Sequence, residues 1–172
     1  MIKTILVPTD GSEHAKKAVL LASDIAEKFD ARMVVLHVLS SGPLPESLIR
    51  MAETEHVTAP RGEPSIAATP EGKYPASTMF GQRNDKPEIR RFVGERIVSE
   101  AEKVARDKGV KNVHCIIEDG DPGKEILRHA EEETANLIVM GSRGLGDLQG
   151  LLMGSVSHKV SQLSPCSCLT AK

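Results

Sequence analysis

Alternation between short apolar runs and segments with helical periodicity is the feature that most constrains the fold of this 172-residue chain. A strand buried on both faces appears as a continuous apolar run, whereas a helix with one buried face spaces its apolar residues three and four apart. These patterns predict five strands, at residues 2–8, 32–39, 110–118, 136–140 and 166–170. They predict four helices, at residues 12–29, 88–108, 121–134 and 155–163. An α/β fold follows, with an open parallel sheet, helices on both faces and right-handed connections.

Residues 40–87 interrupt this alternation, since seven of the chain's ten prolines lie there among scattered glycines and charges. Apart from one short helix predicted at residues 45–56, the segment has no apolar period and few residues able to form a core. We therefore interpret the chain as one domain, residues 1–172, with a proline-rich, mobile insertion at about residues 40–87.

Composition excludes several functional classes. The formal net charge of −2 lacks the basic balance typical of nucleic-acid binders. No apolar run reaches the ~20 residues that cross a bilayer. The first residues are typical of a strand and not of a secretory signal, and three cysteines make a poor disulfide framework. The sequence therefore predicts a cytoplasmic protein that binds neither nucleic acid nor membrane.

Two loops that follow predicted strands hold the candidate binding residues. Glycines let a backbone approach an anion closely, and the free N–H groups at a helix start favour negative charge. After the fourth strand, the phosphate donors are predicted to be the backbone N–H groups of Gly144, Gly154, Ser155 and Val156. After the first strand, Asp10 offers a carboxylate for a sugar or base edge, and Pro8 and Val38 offer apolar walls. If these strands are neighbours, both loops line one crevice at the carboxyl ends of the sheet.

Competing motifs are incomplete, and structural explanations of single residues stay open. Gly123-Lys124 resembles the end of a P-loop, but Glu118 stands where that motif needs glycine. The loop serines have no evident His–Asp partners, and no His/Cys cluster has the spacing of metal ligands, so neither nucleophilic catalysis nor a metal centre is predicted. The glycines would otherwise serve turns alone, Asp10 would only cap a turn, and His37 would be packed at the end of its strand.

At these residues the chain resembles the universal stress protein family. Its ATP-binding members share the pattern G-x-x-G, nine residues, then G and S or T, which Gly141, Gly144, Gly154 and Ser155 match at every spacing. The resemblance covers about residues 1–39 and 88–172. It is carried by Ile5-Leu6-Val7-Pro8-Thr9-Asp10-Gly11-Ser12, Leu36-His37-Val38, Gly120-Asp121-Pro122, Ile138-Val139-Met140-Gly141-Ser142-Arg143-Gly144 and Gly154-Ser155-Val156.

The resemblance implies a five-stranded parallel sheet of order 3-2-1-4-5, the adenine-nucleotide alpha-hydrolase-like fold, and a homodimer formed through the last strand. It also implies an ATP site with Mg²⁺ bridging the phosphates. The residues implied around adenine and ribose are Pro8, Thr9, Asp10, Val38, Met140 and Gly141. Those implied at the phosphates are Gly144, Gly154, Ser155 and Val156, and Arg143 completes the cofactor-binding set.

Three functions follow from this interpretation. The first is an ATP-binding regulatory module of the stress response, because the loops offer phosphate donors but no positioned base. The second is a slow ATP hydrolase in which Arg143 stabilises charge near the γ-phosphate. The third is a nucleotide-free interaction protein with an unidentified protein partner. The sequence also departs from the family, because Cys166-Ser167-Cys168 replaces a valine-rich run and weakens the edge used for dimer pairing.

Overall fold

The computed structural model describes residues 1–39, 87–146 and 152–172. The elements follow the order β1 (Thr4–Pro8), α1 (Glu13–Phe29), β2 (Arg32–Leu39), α2 (Pro87–Asp107), β3 (Val113–Asp119), α3 (Pro122–Glu132), β4 (Leu137–Gly141), α4 (Ser155–Leu163) and β5 (Ser167–Ala171). Every strand predicted above is present, and so is each of the four main helices. The helix predicted at residues 45–56 and the insertion predicted at 40–87 lie outside the described residues, except Pro87, which begins α2.

The chain divides into two compact units, residues 1–41 with 94–172 and residues 42–93. Of the second unit, the structure describes residues 87–93, which form the first turns of α2. The first unit holds all five strands. Among the described helices, none combines the length and apolar character needed to cross a membrane.

The five strands form one parallel sheet of order β3-β2-β1-β4-β5, which confirms the predicted order. The central strand β1 pairs with β2, where Ile5 lies opposite Met33, and with β4, where Leu6 lies opposite Ile138. The direction of winding reverses between β1 and β4. The loops that follow these two strands therefore leave the sheet side by side at its carboxyl edge.

Alternate residues of the central strands enter separate hydrophobic cores on the two faces of the sheet. Ile5 and Val7 pack on the face that α1 and α2 cover, against small residues such as Ala18 and Ala22. Leu6 enters the other core, which α3 and α4 cover. Both faces are therefore apolar, which explains why the strands appear in the sequence as continuous apolar runs.

The observed bounds lie within three residues of the predicted ones, and the start of β3 and the exposure of Phe29 depend on how a helix ends. Val110 is buried but lies before β3, since its N–H donates to the Ala105 carbonyl at 3.0 Å and closes the end of α2. Gly109 makes that turn with φ +93°. Phe29 follows the apolar spacing of α1, yet it is 51% exposed, because the helix ends there and Asp30 turns the chain with φ 50°.

Candidate functional site

The carboxylate of Asp10 joins the two loops that follow β1 and β4. Its Oδ1 accepts the N–H of Ser12 at 3.0 Å, and its Oδ2 accepts the N–H of Leu145 at 2.9 Å. A second link runs from Ser12 Oγ to the Arg143 carbonyl oxygen at 3.4 Å. The structure thus brings together the two loops that the sequence indicated. Asp10 does cap a turn, as its structural alternative predicted, but it also spans the gap between the loops.

The β1 loop rests on a buried histidine. Pro8 ends β1, and the next residue, Thr9, donates its N–H to the Leu36 carbonyl at 2.9 Å. The Thr9 carbonyl accepts from His37 Nδ1 at 2.8 Å. Burial lowers the pKa of His37, while the bond to Thr9 and the charge of Asp10 act in the opposite direction. His37 is therefore packed and capped at the end of its strand, as its structural alternative predicted.

Gly141, the last residue of β4, lets α1 approach the sheet closely. A Cβ at this position would lie 2.8 Å from the Ala15 nitrogen and 2.9 Å from the His14 carbonyl carbon, both backbone atoms. No side chain fits there without moving the helix. Beside it, Met140 is buried in the core under α3 and α4, and Val38 packs partly buried against the same core. The side chains of Met140 and Val38 thus belong to this hydrophobic core.

Ser142 connects four elements through one residue. Its N–H donates to the Ala171 carbonyl of β5 at 2.7 Å, and its Oγ lies 2.9 Å from His14 Nδ1 on α1. Its carbonyl accepts from the Gly154 N–H at 2.8 Å and from Ser157 Oγ at 2.7 Å. Ser142 is buried, with 1% of its surface exposed. These bonds hold both ends of the glycine motif, Gly141 and Gly154, at a fixed separation.

Gly144 and Gly146 lie in the same loop but meet different surroundings. A Cβ on Gly144 would lie 2.5 Å from Asp10 Oδ2, whereas a Cβ on Gly146 would meet no atom within 4 Å. Neither glycine has a positive φ, so an L-residue fits the backbone at both positions. Space at Gly144 is therefore needed for the Asp10 carboxylate to reach the loop.

The helix α4 begins at the far end of the motif. Gly154 is its N-cap and has no side chain to accept the N–H groups of the first turn. Ser155 is exposed and Val156 is partly buried against the core under α3 and α4. The helix start thus offers backbone donors and positive dipole character beside Ser142.

His14, which the sequence did not single out, determines the hydrogen-bonding state of Ser142. Arg143 Nη2 lies 3.3 Å from His14 Nε2. A guanidinium only donates, so Nε2 accepts and Nδ1 of the neutral imidazole carries the proton that it donates to Ser142 Oγ. His14 therefore does not act as a base toward Ser142. The sequence signal that could have pointed to His14 is its place on the first turn of α1, directly after the Asp10 loop.

Comparison with known proteins identifies relatives over the full length of the chain. The model of the universal stress protein family matches residues 1–172. The chain is 34% identical over 175 residues to the universal stress protein YxiE of Bacillus subtilis, with 100% of both chains covered. It is 33% identical over 172 residues to the universal stress protein in QAH/OAS sulfhydrylase 3'region of Thermus aquaticus, again with 100% of both covered.

A solved structure shares the fold. It is a universal stress protein in complex with cAMP, 22% identical in sequence, with a TM-score of 0.60. The match covers 99% of this chain and 97% of that chain. The adenine-nucleotide alpha-hydrolase-like fold predicted above is thereby confirmed.

Proposed function

Because the chain belongs to the universal stress protein family, we propose that it is a stress-response module that binds ATP at the crevice between the β1 and β4 loops. One observation carries this proposal. The glycines of the G-x-x-G-x9-G-S motif lie around a loop that Asp10 joins to β1 and that Ser142 holds against α4. This arrangement supplies backbone donors, one carboxylate and one guanidinium at a single edge of the sheet.

The two sides of the crevice suit different parts of ATP. The adenine and ribose are assigned to the ends of β1, β2 and β4, with Pro8, Thr9, Asp10, Val38, Met140 and Gly141. The phosphates are assigned to the N–H groups of Gly144, Ser155 and Val156 and to the Arg143 guanidinium, which suit an anion. Gly154 was predicted as a further donor, but its N–H already donates to the Ser142 carbonyl, so its assigned role is to let the phosphates approach the start of α4. Among the described residues of the two loops, Asp10 carries the only carboxylate. A bound Mg²⁺ is therefore assigned to the phosphates themselves and to water.

Binding without rapid turnover is the mode that the local hydrogen bonds support. Ser142 Oγ accepts from His14, so this pair does not form an activated nucleophile. One measurement distinguishes the ATP-binding regulatory module from the slow ATP hydrolase. Steady ATP turnover that disappears in Arg143→Ala, with binding retained, would favour the hydrolase.

The binding experiment uses the two glycines of one loop as a matched pair. The purified chain is denatured and any released nucleotide identified by mass spectrometry, then ATP with Mg²⁺ is titrated by calorimetry. We expect a micromolar dissociation constant, about −8 kcal/mol. Gly144→Val should abolish binding because the new side chain displaces Asp10 and blocks the phosphates, while Gly146→Val should bind like the wild type.

The ligand is tested in the same titration. Since a protein of the same fold was solved with cAMP, cAMP is titrated beside ATP. Tighter binding of cAMP than of ATP would make cAMP the assigned ligand. If neither binds and no adenine nucleotide is released, the interaction-protein alternative takes its place. Equal binding by Gly144→Val and the wild type would contradict the phosphate-loop assignment.

We also propose that the chain is a cytoplasmic homodimer that pairs through β5. In the described part of the chain, β5 pairs with β4 and no strand pairs with its other edge. An open edge presents backbone donors and acceptors to a second strand. Analytical ultracentrifugation tests the dimer, and a single-chain mass of 18.5 kDa at every concentration would exclude it.

A further inference from the structure

A second cluster of ionisable side chains lies between β3 and α3, centred on one nitrogen of Arg128. Nη2 of Arg128 lies 2.7 Å from Glu125 Oε2, 3.4 Å from Glu118 Oε1 and 3.0 Å from His129 Nε2. Glu118, Glu125 and His129 each offer a ligand atom, and these atoms lie within 4.8 Å of one another. Three potential metal ligands thus surround a single cationic atom.

The fold sets this arrangement through one strand end and one helix face. Glu118 lies near the carboxyl end of β3, next to the last residue of that strand. Glu125 and His129 are four residues apart on α3, which places them on the same face of the helix. The short turn between β3 and α3 brings that face over Glu118.

The imidazole of His129 is buried and incompletely bonded. His129 is 5% exposed, and its Nδ1 has no hydrogen-bond partner. The donor-only guanidinium requires Nε2 to accept, so Nδ1 carries the ring proton. The nearest carboxylate oxygen to Nδ1 is Glu132 Oε2 at 3.6 Å, and this oxygen accepts a hydrogen bond from Arg128 Nη1 at 2.8 Å. While Arg128 stays in place, the N–H of His129 therefore lacks an acceptor.

The charges of the cluster favour a divalent cation. The carboxylates of Glu118, Glu125 and Glu132 face one guanidinium, so the carboxylates outnumber the cation at the centre of the cluster. The guanidinium is partly exposed, with 42% of the Arg128 side chain accessible, so it can turn to solvent. Its departure would free Glu132 to accept from His129 Nδ1. Metal-bound histidines commonly donate their second ring N–H to a carboxylate in this way.

We propose that this cluster is a Zn²⁺ site separate from the nucleotide crevice. Glu118, Glu125 and His129 Nε2 are the ligands, Glu132 orients the imidazole, and Arg128 occupies the site as a competing internal cation. One imidazole with two carboxylates is a donor set that suits Zn²⁺, with water completing a four-coordinate shell.

The test titrates Zn²⁺ alone into reduced, chelator-treated, nucleotide-free protein and follows binding by calorimetry. We expect one Zn²⁺ per chain, with affinity at least tenfold weaker in Glu125→Gln and in Glu118→Gln. Both residues are partly exposed, so these variants fold even if a His129 variant does not. Arg128→Gln should bind Zn²⁺ at least tenfold more tightly, because the competitor is removed.

Matched variants separate this site from other zinc ligands. Glu131→Gln removes a carboxylate from an exposed position of the same helix, and Arg106→Gln removes an exposed arginine that pairs with Glu102. Both should bind like the wild type, as should Cys166→Ser with Cys168→Ser. The proposal is overturned if Arg128→Gln binds no Zn²⁺ or binds it more weakly than wild type. It is also overturned if binding is indifferent to both Glu118→Gln and Glu125→Gln.

Discussion

The β1–β4 crevice and the β3–α3 cluster lie at the same carboxyl edge of the sheet but are built from opposite chemistry. The crevice presents backbone N–H groups from glycine-bearing turns, and the carboxylate of Asp10 accepts hydrogen bonds from two of them. The cluster presents carboxylates and an imidazole, and the guanidinium of Arg128 occupies its centre. In each place a charged side chain of the protein binds the surrounding groups: the anionic Asp10 binds N–H donors, and the cationic Arg128 binds carboxylates. This difference is what the two proposals rest on: an anion bound by the N–H groups and a cation bound by the carboxylates and the imidazole.

The largest effect expected from a single change is at Gly141, which tests the crevice alone. Gly141→Ala sets a methyl group against the backbone of Ala15 and His14, which cannot move without shifting α1. We expect the free energy of unfolding to fall by about 3 kcal/mol, measured by urea denaturation. Gly146→Ala is the control, and its stability should stay within about 0.5 kcal/mol of wild type. Equal stability of the two variants would show that α1 and β4 are farther apart than described.

The next largest effect is expected from removing the carboxylate of Asp10, and it distinguishes the crevice from the β3–α3 cluster. Asp10→Ala loses bonds from the Ser12 and Leu145 amides, which should lower the free energy of unfolding by about 2 kcal/mol. It should also weaken ATP at least about tenfold, or 1.4 kcal/mol, because Asp10 is assigned to the sugar or base. Arg128→Gln should instead bind Zn²⁺ more tightly, since Arg128 competes with the metal for the same ligands.

An exposed aspartate gives the control for this prediction. Asp24 lies on α1 away from the Asp10 loop and forms an exposed ion pair with Lys108, which follows α2. Asp24→Ala should therefore change the free energy of unfolding by less than about 1 kcal/mol and leave ATP affinity unchanged. ATP affinity that is the same in Asp10→Ala and wild type would remove Asp10 from the proposed site.

Mild acid gives the smallest effect and changes no residue. The pKa of His37 is lowered in the folded chain from its ordinary 6.5, so in mild acid the unfolded chain binds a proton that the folded chain does not. The free energy of unfolding should be level above about pH 7 and fall as the pH drops through 6.5 toward the lower folded pKa. His37→Gln should flatten this slope, while replacement of the exposed His114 should leave it unchanged. A slope that persists in His37→Gln would assign the effect to another group.

The sequence predicted the elements and the glycine loop well because both depend on local signals. Apolar runs of buried strands and the spacing of Gly141, Gly144 and Gly154 are visible without knowing what lies opposite them. The order of the strands came from the family resemblance and is confirmed by the pairing of β1 with β4. The assignment of nucleotide contacts to individual residues stays a prediction.

What the sequence did not indicate depends on contacts between distant segments. Ser142 meets His14 across 128 residues, and nothing near either residue signals the contact. Glu118 approaches Glu125 and His129 only because the turn between β3 and α3 folds the helix back over the strand end. A search for close His and Cys spacing overlooks such a cluster, since two of its three ligands are glutamates.

The hydrogen bond from Leu145 to Asp10 also determines when the loop loses its conformational entropy. Because this bond and those of Ser142 form within the chain itself, residues 142–146 are fixed as the protein folds. The conformational entropy of this segment is then lost during folding and not when a ligand arrives. The described part of the loop is in this sense preorganised.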